Sequence, residues 1–218
     1  MPKFFVLELI HPQVQQYAEY LTTPEDNLLH EVNEFTANNH KEYHMLSGHL
    51  QGKMLEAISY MIKPRRVLEI GTFTGYSALC LAKGLAPDGL LHTIELREAD
   101  AAHARGFFDR SPFRNQIILH VGNALDILPS LKEEWDLVFI DADKVSYIEY
   151  FKTVLPAMKK NGFILADNIF FHGQVFDDPV KGKNAIAIRE FNEFVRSRDD
   201  VDKTVITLRD GLYLARKI

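Results

Sequence analysis

From residue 65 onward, short apolar runs alternate with stretches that read as helices, and this alternation leaves the chain few architectures to choose from. The runs are Arg66–Ile70, Leu90–Glu95, Gln116–Val121, Trp135–Ile140, Gly162–Ala166, Val201–Leu208 and Leu212–Ala215. The intervening helices are expected at Tyr76–Leu85, Glu98–Phe108, Ala124–Leu131, Tyr147–Met158 and Ala185–Ser197. Strands separated by helices pair in parallel, with the helices covering both faces. Arg209-Asp210-Gly211 joins the last two runs, and Asp-Gly between strands reads as a hairpin. The expectation is an α/β fold: a doubly wound, mostly parallel, seven-stranded sheet of Rossmann-like type whose last strand is antiparallel.

Residues before 65 are helical in pattern, at Val14–Leu21, Glu25–Asn38 and Leu50–Ile62. They carry no core of their own, so residues 1–64 are read as a cap on the ligand edge and 1–218 as a single domain. Tyr17, Tyr20 and Phe35 are read as core residues of that cap. The formal charge of -5 offers no basic excess to neutralise phosphates, which argues against nucleic acid and membrane surfaces as partners. One cysteine, Cys80, cannot form an internal disulfide. The run Phe4–Ile10 is too short to span a bilayer, carries an acid and lacks a small-residue cleavage pattern, so it is not read as a signal peptide. A cytoplasmic location is the expectation.

Sheets of this kind bind ligands beyond the carboxyl ends of their strands, where strand order reverses. The first strand runs into Glu69-Ile70-Gly71-Thr72-Phe73-Thr74-Gly75-Tyr76-Ser77. Its glycines stand four apart, and the Gly-x-Gly pair that admits a pyrophosphate is missing. An acid before the loop and a serine after it suit an amino-acid moiety better than phosphates. Glu69, Gly71, Thr72 and Ser77 are therefore cofactor candidates, although a plain strand-helix turn with packing glycines also accounts for the loop. Glu95 ends the second strand, where a carboxylate can accept from both ribose hydroxyls. Asn123 and Ala124 follow the third strand, where an adenine would lie, but Asn123 with Asp126 three residues on also fits a helix N-cap.

Phe139-Ile140-Asp141-Ala142-Asp143-Lys144 and, one strand later, Leu165-Ala166-Asp167-Asn168 carry the reaction chemistry. If the two strands are neighbours, their tips lie about 5 Å apart and three oxygen donors converge. Asp141, Asp167 and Asn168 supply no nitrogen or sulfur, which suits Mg²⁺, Mn²⁺ or Ca²⁺ rather than zinc. Helix capping is the competing reading for Asp141 and Asp143. Ser146-Tyr147-Ile148-Glu149 looks like a capping box for the same helix and leaves the earlier acids for other work. Lys144 is the candidate general base, with a nearby cation and partial burial expected to lower its pKa.

Together these residues resemble the metal-dependent class I O-methyltransferases, the family of the caffeoyl-CoA and catechol enzymes. The resemblance runs from about Met45 onward, on Leu68–Ser77, Phe139–Lys144, Ala166-Asp167-Asn168 and Asp210-Gly211-Leu212. It implies that Asp141, Asp167 and Asn168 hold the metal and that Lys144 is the base. It also implies an S-adenosylmethionine site lined by Glu69, Gly71, Ser77, Glu95 and Ala124, with Asp141 close to both ligands. Ser47 lies in a stretch that touches the methionine end in that family. Further implications are a catechol-like aromatic acceptor and a homodimer. Asn123 stands where an Asp is often seen, and Phe170-Phe171-His172-Gly173 replaces a common Leu-Trp pair and Gly, so the acceptor wall is expected to differ. Two other readings compete: a metal-independent methyltransferase that uses the same cofactor, and a binding protein that has lost turnover.

Overall fold

A computed structural model describes residues 9–218; Phe4–Glu8 of the N-terminal run lie outside the described residues. Seven strands form one sheet: β1 (Arg66–Ile70), β2 (Leu90–Glu95), β3 (Ile117–Val121), β4 (Trp135–Ile140), β5 (Met158–Asp167), β6 (Val201–Ile206) and β7 (Leu212–Lys217). Their order is β3-β2-β1-β4-β5-β7-β6. β1 to β5 pair in parallel, and β7 enters antiparallel between β5 and β6. Strand order reverses between β1 and β4, where Ile70 pairs with Ile140. The expected sheet is therefore present, with its ligand edge at the tips of these two strands.

Alternation along the strands builds two cores. Leu68, Ile70, Val138, Ile140, Ile164 and Ala166 face one side, against α6 (Ala124–Ile127), α7 (Tyr147–Val154) and α8 (Lys183–Arg196). Val67, Leu137, Phe139 and Leu165 face the other. There they meet α3 (Gly48–Ile62), α4 (Tyr76–Ala82) and α5 (Glu98–Arg110). α3 lies close on α4 at Gly52, where a Cβ would stand 2.6 Å from the Tyr76 ring. Two further helices, α1 (Pro12–Leu21) and α2 (Asn27–Asn39), precede α3. Among the described residues no helix is long and apolar enough to cross a membrane.

Several boundaries differ from expectation for local reasons. α7 stops at Val154 and tightens into a 3-10 turn, because Pro156 has no N–H to give the carbonyl one turn back. Pro129 ends α6 at Ile127 in the same way. β5 begins four residues earlier than its apolar run, and the irregular register between Trp135 and Leu137 absorbs the extension. The core reading of Tyr17 and Tyr20 is wrong. α1 buries no residue, and the two rings, 64% and 82% exposed, stack on each other instead. Phe35 does pack, edge-on, against Phe107.

Ser146 is not the cap expected of it. The chain enters α7 through a 3-10 turn, Lys144–Ser146, so Ser146 is already near-helical (φ −98°, ψ 1°) and its hydroxyl makes no capping bond. A capping box needs an extended residue at that point. Asp143 starts the turn, yet its carboxylate also caps nothing and accepts from the Tyr150 hydroxyl. Asp141 and Asp143 are free of capping duty, though not for the reason the sequence suggested. Asn123 is an N-cap in fact: extended, with its side-chain oxygen accepting from Leu125 N at 3.0 Å.

Candidate active site

The tips of β1 to β5 open into a cavity of about 530 Å³, within the size range of small-molecule sites. One end is built by the loop after β1. Gly71 has φ +103°, and a Cβ there would sit 2.0 Å from the carbonyl oxygen of Asp141. No other residue fits where β1 and β4 diverge. Phe73 N donates to Glu95 Oε2 at 2.7 Å and Arg97 N to Oε1 at 2.9 Å, so the acid at the β2 tip is fixed in orientation and still faces the cavity. Arg97 lies over the Phe73 ring at 5.4 Å. Gly122, Asn123 and Ala124 continue the wall from β3, and Ser47, Thr72 and Ser77 line it from the cap and the β1 loop.

Glu69 is placed differently from expectation. It is fully buried beneath the loop, outside the cavity lining, where it accepts from the Thr93 hydroxyl. Its Oε1 has no hydrogen-bond partner. Burial pushes its carboxyl up to about 8, opposed by the Thr93 hydroxyl and reinforced by the charges of Asp141 and Glu95.

At the other end, Lys144 Nζ donates to Asp141 Oδ1 at 2.9 Å, to Asn168 Oδ1 at 2.7 Å and to the Tyr147 hydroxyl at 2.7 Å. Two oxygens from neighbouring strand tips thus share one cation. Asn168 adopts φ +58°, in the left-handed region that Asn tolerates better than most residues. Asp167 stands beside them, 3% exposed, with Oδ1 accepting from Asn168 N at 2.8 Å and Oδ2 from Gln51 Nε2 at 2.7 Å. Burial, and then the charge of Asp141, push Asp167 above the usual carboxylate range. The donor set is all oxygen and anionic, and one carboxylate is penalised by the other. Such a set fits a hard divalent cation, which would relieve that repulsion. Among the described residues no three His, Cys, Asp or Glu side chains cluster in ligating range; this set is two acids and an amide.

The lowered pKa expected of Lys144 is not found. Burial does oppose its charge, but Asp141, Tyr147 and Asp167 outweigh burial and hold the ammonium well above its ordinary value. The sequence reading counted a nearby cation and the desolvation, and left out the carboxylates. It also passed over Tyr147, whose hydroxyl anchors Lys144; the Lys-x-x-Tyr spacing across a helical turn was the available signal. Tyr150, Phe171, His172 and Asn184 complete the wall on this side.

The strand order, the glycine turn after β1 and the acid ending β2 define the class I methyltransferase fold. Within that class, a family model described as O-methyltransferase matches residues 18–218. This chain belongs to that O-methyltransferase family. It is 35% identical over 174 residues to a catechol O-methyltransferase of Niastella koreensis, covering 76% of this chain and 79% of that one. The catechol O-methyltransferase of Mycobacterium tuberculosis is 34% identical over 157 residues, 72% of this chain and 71% of its own. Among solved structures, the O-methyltransferase TomG from Streptomyces achromogenes, in complex with S-adenosylmethionine, superposes with a TM-score of 0.87 at 33% identity. That alignment covers 94% of this chain and 96% of the other.

Proposed function

We propose that this protein transfers the methyl group of S-adenosylmethionine to a hydroxyl of a small, catechol-like aromatic acceptor, with a divalent cation at the tips of β4 and β5. One observation carries the reading: Asp141 and Asn168 present oxygens to a single positive charge at 2.9 and 2.7 Å, beside Asp167, on the wall of the cavity that also holds the glycine loop. The kinship with O-methyltransferases named for catechol supports the acceptor class. The reading takes residues 1–218 as one methyltransferase domain, with 1–64 as its cap.

In this reading Gly71, Thr72, Ser77 and Ser47 receive the methionine end of the cofactor, Glu95 the ribose, and Asn123 with Ala124 the adenine. Glu69 acts from beneath, by fixing the loop through Thr93. Asp141, Asp167 and Asn168 hold the cation, with Mg²⁺ favoured by the all-oxygen set and Mn²⁺ or Ca²⁺ as alternatives. Bound there, a divalent cation supplies positive charge that acidifies a neighbouring hydroxyl and balances both carboxylates. With Asp141 and Asp167 no longer holding its charge, Lys144 would release one proton to solvent, and its free amine would take the acceptor's hydroxyl proton as the oxygen–methyl bond forms and the methyl–sulfur bond breaks, leaving S-adenosylhomocysteine. Tyr147 fixes the amine within reach of the reacting oxygen. Holding the hydroxyl oxygen in line with the sulfonium methyl is worth up to about 7–11 kcal/mol.

One feature favours a metal-independent alternative: Lys144 itself satisfies the oxygens of Asp141 and Asn168. Methyl transfer to a panel of catechols, flavonoids and caffeoyl esters, with Mg²⁺ and after EDTA treatment, separates the two. Activity that survives chelation rejects the cation, and cofactor binding with no turnover on any acceptor rejects the enzyme. A homodimer belongs to the same reading, supported by the exposed Val14, Tyr17, Tyr20 and Leu21 of α1; light scattering measures it. A reducing compartment such as the cytoplasm suits the buried, unpaired Cys80.

A further inference from the structure

Asp167 receives support from two segments remote in sequence. Gln51, on α3 of the N-terminal cap, is 1% exposed and donates to Asp167 Oδ2 at 2.7 Å. Arg209, in the turn between β6 and β7, donates through Nη1 to Gln51 Oε1 at 3.4 Å, to Leu46 O at 3.0 Å and to Ser47 O. A guanidinium has only donors. An amide lying between Arg209 and Asp167 has one workable orientation, oxygen to the first and nitrogen to the second. Gln51 is restrained by burial, on a helix that Gly52 seats against Tyr76 with no room for a side chain. Gln51 is absent from the cavity wall, so it touches neither ligand directly.

We propose that Gln51 and Arg209 are positioning residues for the cation site: Arg209 fixes the Gln51 amide, and Gln51 holds Asp167 Oδ2 so that the carboxylate presents itself alongside Asp141 and Asn168. The N-terminal cap thereby becomes part of the cation site. This rests on the cation reading above. A carboxylate held by outer hydrogen bonds keeps its orientation in the absence of the ion, and losing such a bond typically weakens metal affinity 10–100-fold.

Mn²⁺ binding to chelator-stripped protein, followed by titration calorimetry and electron paramagnetic resonance, provides the test. Gln51→Met keeps the volume and removes both polar ends. It is expected to bind Mn²⁺ about tenfold more weakly, with S-adenosylhomocysteine affinity within about twofold of wild type, since Gln51 lies off the cavity wall. Arg209 lines the cavity and its charge also acts on Asp167, so Arg209→Lys, which keeps the charge and gives up the guanidinium fork, is the second variant, expected to weaken Mn²⁺ in the same direction. The double variant should be no worse than the weaker single one, because the two residues act as one unit. Mn²⁺ affinity unchanged in a folded Gln51→Met, or losses that add in the double variant, overturns the proposal. If wild type binds no Mn²⁺, the cation reading itself fails, which is a different result from equal binding by wild type and variant.

Discussion

Replacing Glu69 by Gln should change how stability depends on pH, and the size of the change follows from burial. In the fold its carboxyl titrates at about 8, against 4.5 for the free side chain. Between those values the folded state binds the proton and the unfolded state does not, so stability falls as pH rises. From pH 5 to pH 7 the loss from this one group is about 2–3 kcal/mol, and the full span up to pH 8 is worth at most about 4–5 kcal/mol. Other groups titrate too. Asp167 and Asp210 are raised by burial and slope the same way. His92 and His120 are lowered by burial and slope oppositely below pH 6.5. Subtracting the variant from wild type removes them. Glu69→Gln retains an oxygen to accept from Thr93 and carries no charge to desolvate. Urea melts of cofactor-free protein at half-unit steps from pH 5 to 8 should show the variant gaining on wild type as pH rises. A difference that stays level across that range would refute the claim that burial holds Glu69 protonated in the fold.

Gly71→Ala meets the Asp141 carbonyl at a φ of +103°, so it should cost about 2–4 kcal/mol and abolish cofactor binding. Calorimetry giving wild-type affinity for S-adenosylmethionine would contradict that. Lys144→Met should lower kcat by about 10²–10⁴ while leaving cofactor affinity nearly intact; single-turnover assays distinguish loss of the base from loss of binding. Cys80 is fully buried, and burial raises its thiol well above its ordinary value. Iodoacetamide should therefore modify it only in denatured protein, and rapid labelling of the native form would mean the α3–α4 packing opens.

The sheet was legible because its signals are local. Apolar runs of strand length and an Asp-Gly turn need no knowledge of distant contacts, and neither does Asn123, whose capping signature lies within four residues. Residues whose roles depend on partners far along the chain were not legible. Gln51 sits on an ordinary helical stretch and acquires meaning only when Asp167 and Arg209 arrive. Lys144 was recognised, but its charge state was not, because that depends on how closely Asp141 and Asp167 are brought to it. The apolar spacing of α1 was read as burial, although period alone does not say that anything lies against the face. At Ser146 a correct motif failed because the preceding turn had already consumed the geometry it needed.

The position of β7 has a consequence for synthesis. β5 leaves the ribosome well before β7, yet along Phe163–Asp167 its only partner on that side is β7. Until Leu212 and its neighbours emerge, β5 is an open edge, and the turn bearing Arg209 has nothing to rest on. A nascent chain that has already made every acidic and glycine residue of the cavity therefore still carries one strand with an unpaired edge, open to pairing with another chain.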